Sequence, residues 1–290
     1  MKRRIGTFAA AIFLIVIGAC QPQPQSARPA LWEVTGPNGE QGWLFGTIHS
    51  LDRPAQWRTP PVDKALAGAD RVVVEVANVS DGAALAEVFT RLSRTPGLPP
   101  LTDRVEPAAR PALETLLKRA GLKANGFTDM ETWAAALTLA QAEQDADGAR
   151  NGIDRAVLAA ARGKPVVELE GAAAQLGIFD GLPEKEQRDL LAIVIADSGA
   201  LDRESADLAE AWRTGDFAVI ERETRTGLLA DPELRQALFT ARNTAWTGRI
   251  ADMLQNRARP FVAVGAAHMA GPDGLVAMLA ERGYGVRRIQ

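Results

Sequence analysis

Apolar and polar positions change rhythm several times along the chain. Lys2-Arg3-Arg4 precedes an uncharged run from Ile5 to Ala19. A cationic start and an apolar stretch shorter than a spanning helix predict a secretory signal over residues 1–19, not a folded element. Leu31–Val34 and Gly42–Phe45 flank Pro37-Asn38-Gly39-Glu40, a turn signal that predicts an N-terminal hairpin. Arg71–Glu75, Pro165–Glu168 and Phe261–Val264 have apolar centres without alternation, the pattern of strands buried on both faces. Gly285–Ile289 predicts a further edge strand. Pro107–Ala120, Glu131–Ala149, Ile153–Arg162, Glu184–Ile195, Leu201–Thr214 and Pro232–Asn256 carry Ala and Leu at helical spacing. Strands separated by helices predict an α/β fold with a parallel-rich central sheet. The helices are too numerous for simple crossovers, so a helical insertion is expected between Glu75 and Pro165.

Composition narrows the class. With 290 residues, 47% hydrophobic and 24% charged, the chain has the make-up of an ordinary globular protein. Its net charge is −3, and without the three basic residues of the leader 30 bases face 36 acids. No dense basic stripe remains to neutralise phosphates, which excludes a nucleic-acid partner. The single cysteine, Cys20, closes Ile17-Gly18-Ala19-Cys20. This stretch resembles the bacterial lipobox, where the lipoprotein signal peptidase cuts before a cysteine that has received a diacylglycerol. Thioether lipidation explains an unpaired thiol in an exported protein, and no disulfide can form within the chain. Residues 20–30 then form a lipidated, proline-rich tether, followed by one domain over residues 31–290. Gln21 in place of an acidic residue resembles an outer-membrane-sorted lipoprotein of a Gram-negative cell. The expectation is an exported protein, membrane-anchored through Cys20 and facing the periplasm.

Two histidines share one local frame. Phe45-Gly-Thr-Ile-His49 and Val264-Gly-Ala-Ala-His268 each run from an apolar strand into Gly-x-x-His. Ligands of open α/β sheets bind beyond the carboxyl ends of the strands, where glycine lets the backbone turn and carry the histidine over the sheet edge. Acids stand at the same kind of place: Glu75 closes Val72-Val73-Val74, and Glu168 and Glu170 follow Val166-Val167. If the strand continued that far, alternation would put Glu168 and Glu170 on one face. A charge closing an apolar strand is costly unless it is paired, bound to a cation or set in a wet cleft. Imidazole with carboxylate suits Zn, Mn, Fe or Co, and such an ion acidifies water. A carboxylate beside it can act as general base. The chain lacks the His-Glu-x-x-His of helix-borne zinc proteases, so spacing names no particular metal.

Leu44–His49, the strand with Glu75, Gly152-Ile-Asp154, Lys164–Glu170, Arg242-Asn243 with Trp246, Phe261–His268, Gly271–Leu275 and Gly283–Val286 occur in an order that resembles the TraB/GumN family, which includes the Tiki proteins. The resemblance runs from about Leu31 to Gln290. It implies a fold akin to the erythromycin-esterase and ChaN-like proteins. Through the Tiki branch it implies metal-dependent proteolysis at His49, His268 and Glu75, the expected metal ligands. Arg242 and Asn243 fall on a helix, where an arginine is ordinarily a solvated face; the family pattern makes them candidates for orienting a site carboxylate or substrate carbonyl. Asp154 reads more simply as a first-turn acid complementing the helix dipole. Trp133 and Trp246 read as core or groove aromatics.

Three functions follow as alternatives. The first is a lipoprotein metallopeptidase acting on a peptide or other acyl substrate, with Glu168 or Glu170 completing the ligand set or serving as base. The second is a metal-independent hydrolase in which histidine and glutamate activate water directly. The third is a non-catalytic lipoprotein that binds metal, haem or a peptide.

Overall fold

The computed structural model describes residues 23–77, 82–143, 150–161, 163–198 and 201–290. The leader, Cys20 and Gln21 lie outside the described residues. So do residues 144–149, at the end of the expected helix Glu131–Ala149, and Arg162.

Six strands form the central sheet: β1 (Leu31–Thr35), β2 (Gln41–Thr47), β3 (Arg71–Val74), β4 (Val166–Glu168), β5 (Pro260–Gly265) and β6 (Gly285–Arg288), in the order β4-β3-β5-β2-β1-β6. β1 and β2 are the expected hairpin, antiparallel with Trp32 opposite Leu44, and β6 pairs antiparallel with β1. β4, β3, β5 and β2 run parallel, so their carboxyl ends lie along one edge. The fold is therefore α/β with a parallel-rich sheet.

Alternation decides which side chains meet which layer. Phe45, Val72, Val74, Phe261 and Ala263 face one layer, where Val62, Ile153, Val157 and Trp212 cover them. Leu44, Val73, Val262 and Val264 face the other, against Trp246, Ile250, Leu254 and Leu275. A third apolar cluster is wholly helical. Leu113, Leu116, Trp133 and Leu139 come from the expected insertion between β3 and β4, and Leu190, Leu191, Leu234 and Leu238 from the chain between β4 and β5. The helical layer thus draws on two crossovers rather than one.

Helix Leu201–Thr214 keeps its expected bounds, while Pro107–Ala120 opens as a 3₁₀ turn at Pro107–Ala109 before helix Arg110–Arg119. The expected helix Pro232–Asn256 is divided. Asp231 caps Pro232–Arg235, a π-helical turn spans Gln236–Thr240, and a regular helix follows over Ala241–Gln255. Among the described residues no helix is long and apolar enough to cross a membrane.

At the glycines before the two histidines it is the missing side chain that matters, as the sequence leads one to expect. Gly265 has φ −46°, and Gly46 is not among the glycines with positive φ, so neither supplies a left-handed turn. Gly46 is needed for close approach: a Cβ there would stand 2.9 Å from the Ala266 Cβ and 3.0 Å from its Cα. Its carbonyl also accepts the Trp212 indole N–H at 2.8 Å. Gly46→Ala is expected to destabilise the fold by about 1–3 kcal/mol through overpacking, read as a lower urea midpoint. An unchanged midpoint contradicts the close-approach reading.

Candidate functional site

Three neighbouring strands, β3, β5 and β2, end beside one another, and each carries a reactive side chain past its end. In register Val74 lies opposite Ala263, and Gly265 opposite Thr47. Glu75 follows β3 directly, His49 leaves β2 two residues on, and β5 enters a single 3₁₀ turn, Ala266–Met269, that holds His268. The point a Cβ on Gly265 would occupy lies 3.5 Å from Glu75 Oε1, 3.7 Å from His268 Cδ2 and 4.0 Å from His49 Nε2. The three side chains therefore surround Gly265, and a side chain there would project into the space they enclose.

The rings are oriented through the same nitrogen. Asn243 is fully buried, and its Nδ2 donates to the Asp273 carbonyl at 2.8 Å, which turns its Oδ1 towards His268 Nδ1 at 2.7 Å. His268 Nδ1 must therefore carry the proton, leaving the Nε2 lone pair for the site. Asp273 is itself held by Nε and Nη2 of Arg235 and by the Thr240 hydroxyl. His49 Nδ1 donates to Asp154 Oδ2 at 2.8 Å, and the other Asp154 oxygen accepts from the Thr47 hydroxyl at 2.6 Å. The Ile153 N–H binds the Ile48 carbonyl at 2.8 Å, which docks the start of helix Ile153–Ala160 onto the loop carrying His49. Asp154 is thus a positioning residue as well as a first-turn acid. The expectation from sequence gave it too little, because only the tertiary fold places this helix end beside β2.

Arg242 occupies the middle. Its Nη2 donates to Glu75 Oε2 at 2.9 Å and to Glu170 Oε1, its Nε to Glu170 Oε2 at 3.1 Å, and its Nη1 lies 3.3 Å from His268 Nε2. The guanidinium carbon stacks 4.6 Å from the centre of the Trp246 ring. Trp246 and Phe239 also pack on His268, with ring centres 4.6 and 5.2 Å away. Glu75 is completed by the Gly265 N–H on Oε1 at 2.8 Å and by Gln175 on Oε2 at 3.4 Å.

Glu168 does not share this setting. β4 stops at Glu168, the chain reverses at Gly171 with φ +80°, and the expected alternation with Glu170 fails. Glu168 accepts the Ala77 N–H at 2.6 Å instead, pinning the loop after Glu75, while Glu170 turns to Arg242. Trp133 lies in the separate helical core.

These surroundings divide the titrating groups. Burial pushes His268 down to about 4, and the adjacent Arg242 adds to the shift, so the ring is neutral at pH 7. The hydrogen bond that His49 donates to Asp154 raises its ring to about 9. That side chain is 75% exposed, so water moderates the pull without changing its sign. Burial works against ionisation of Glu75, but the His49 imidazolium, Arg242 and the Gly265 N–H together hold it below the usual carboxylate range. Burial dominates at Glu170 and raises it despite Arg242.

As to a metal, both histidines have Nδ1 committed to an oxygen and Nε2 turned to the site, the arrangement metal-ligating imidazoles adopt. Two imidazoles and the Glu75 carboxylate fit a divalent ion of nitrogen and oxygen preference. Arg242 shares that space, and among the described residues no three His, Cys, Asp or Glu side chains cluster closely enough to form a metal-holding group.

The model of the TraB/PrgY/gumN family matches residues 30–288. The chain belongs to this family. Two relatives, both called "Uncharacterized protein YbaP", from Shigella flexneri and Escherichia coli (strain K12), are each 27% identical over 268 residues, covering 87% of this chain and 92% of theirs. No solved structure matches significantly. The family's span takes in every residue of the site, from Thr47 to Asp273.

Asp154→Asn removes the charge that favours the His49 imidazolium. The His49 midpoint is expected to fall from above the ordinary histidine range towards 6.5, followed by NMR on this two-histidine chain, with His268 still neutral down to about 4. A His49 midpoint unmoved by the substitution refutes the pairing.

Proposed function

We propose that the protein is a metal-dependent hydrolase of acyl substrates, most simply peptides, with His49, His268 and Glu75 holding one divalent ion. The observation that carries this reading is the convergence of two Nε2-presenting imidazoles and a buried carboxylate around Gly265. The resemblance to the Tiki proteins points to the same chemistry. A divalent ion bound there supplies Lewis-acid polarisation of a carbonyl and a water acidified towards neutrality.

The chain's own residues supply the rest. Asp154 and Asn243 fix the tautomer and aim of the two rings. His268, neutral in its aromatic slot, keeps its lone pair available at physiological pH. Glu170 is the proton carrier: its carboxyl, raised by burial, takes a proton from water and returns it to the leaving amine as the C–N bond breaks. Arg242 keeps Glu75 ionised. Glu168, fixed on Ala77, takes no part.

A second reading rests on Arg242 itself, which lies against both His268 Nε2 and Glu75. With the guanidinium kept there, the His49–Asp154 pair is the acid and Glu170 the base, and hydrolysis needs no metal.

Metal analysis of the purified chain lacking residues 1–20 separates the two. The first reading expects about one ion per chain, loss of that ion in His49→Ala and His268→Ala, and peptide turnover abolished by chelator. Turnover indifferent to chelator establishes the second, and metal without turnover across a broad peptide library sinks both.

We also propose that Cys20 carries lipid and anchors the domain at a membrane, facing the periplasm. Cys20→Ser is then expected to move the full chain from the membrane fraction to the soluble one; retention in the membrane fraction contradicts this.

A further inference from the structure

Helix Gly82–Leu92 places Leu85, Val88, Phe89 and Leu92 on one face at helical spacing, yet none of its residues is fully buried. An amphipathic helix normally hides such a stripe. Here the stripe is met by helix Ala172–Asp180, which begins two residues after Glu170. Between the two helices lies a groove of about 310 Å³ lined by Leu85, Ala86, Phe89, Ala172 and Leu176, with Thr90 and Gln175 as polar walls. Among the described residues no charged side chain lines it. Gln175 also donates from Nε2 to Glu75 Oε2 at 3.4 Å, so one side chain belongs to both the groove and the reactive cluster.

We infer that this groove is a specificity subsite that receives one large apolar side chain of the substrate, beside the acyl group presented to Glu75, Glu170 and His268. The occupant follows from the walls. A volume at the lower end of ligand pockets suits one side chain rather than a whole ligand. Apolar walls favour Leu, Met or Phe, and a charged side chain would lose its hydration there without a partner. Gln175 is then a positioning residue that sets the distance between the anchored side chain and the carboxylates. The inference deepens the hydrolase reading above and gives it a substrate class: peptides with a bulky apolar residue next to the cleaved bond.

Binding rather than cleavage tests it, so that failure of the hydrolase reading leaves the result interpretable. Acetylated tetrapeptide amides that differ in one residue, Phe, Gly or Asp, are titrated by calorimetry into the full-length chain in detergent, with detergent alone as blank. The Phe peptide is expected to bind at least tenfold more tightly than the other two. Ala86→Trp fills the groove from an exposed position and is expected to reduce that preference to within twofold. Thr90→Arg, also at an exposed position, does the same by introducing charge. His268→Gln, outside the groove, keeps the preference whether or not it abolishes turnover. Equal binding of the three peptides by the unaltered chain overturns the inference, as does a preference that survives in Ala86→Trp and Thr90→Arg variants with intact circular dichroism.

Discussion

The site is organised by one buried cation. Arg242, with only 11% of its side chain exposed, holds Glu75 and Glu170, which are as deeply buried. Three charges brought out of water are tolerable only when each finds strong, well-directed partners. The fork of the guanidinium meets Glu170 with two donors, its second terminal nitrogen also reaches Glu75, its face lies on Trp246, and its remaining donors meet Leu238 O and His268. A lysine would offer a point charge without the fork or the stacking plane. Because Glu75 and Glu170 come from the ends of two strands and Arg242 from a helix, this cation ties the carboxyl edge of the sheet to the helical layer.

The two histidines form an asymmetric pair. His268 is buried between Phe239 and Trp246 and beside a cation, and that burial and the Arg242 charge favour the neutral ring over the opposing pull of Glu75. His49 stands at the open rim and is bonded to a carboxylate, which favours the charged ring. One fold thus presents a lone pair and an acidic proton within a few ångströms of the same point. Hydrolytic chemistry near neutral pH uses such a separation of proton affinities, with or without a bound ion.

The backbone supplies the alignment. A parallel sheet delivers successive strand ends along one edge, and the close approach of Gly46 to Ala266 seats the turn that carries His268 against β2. The π-helical turn at Gln236–Thr240 lies directly before Arg242 and Asn243. It changes the phase of the helix just ahead of the two residues that contact Glu170 and His268.

Periodicity marked the central-sheet strands, the hairpin and the long helices, because burial on one or two faces leaves a direct imprint on a linear pattern; it missed helices Gly82–Leu92 and Ala172–Asp180 beside the site and the small pairing of Gln25–Ser26 with Ala55–Gln56. The repeated Gly-x-x-His and the acids closing strands marked which strand ends carry chemistry, because charge at the end of an apolar run is unusual without a use. What tertiary structure decided was which of those groups share a space. Strand order places β5 between β2 and β3, and that order depends on long-range pairing that no local pattern encodes. The same holds for Asp154, whose partner lies 105 residues away. It holds for Glu168 as well, turned aside because β4 ends there and Gly171 redirects the chain. Sequence named the groups; the pairing of distant strands and helix ends set their contacts and hence their proton affinities.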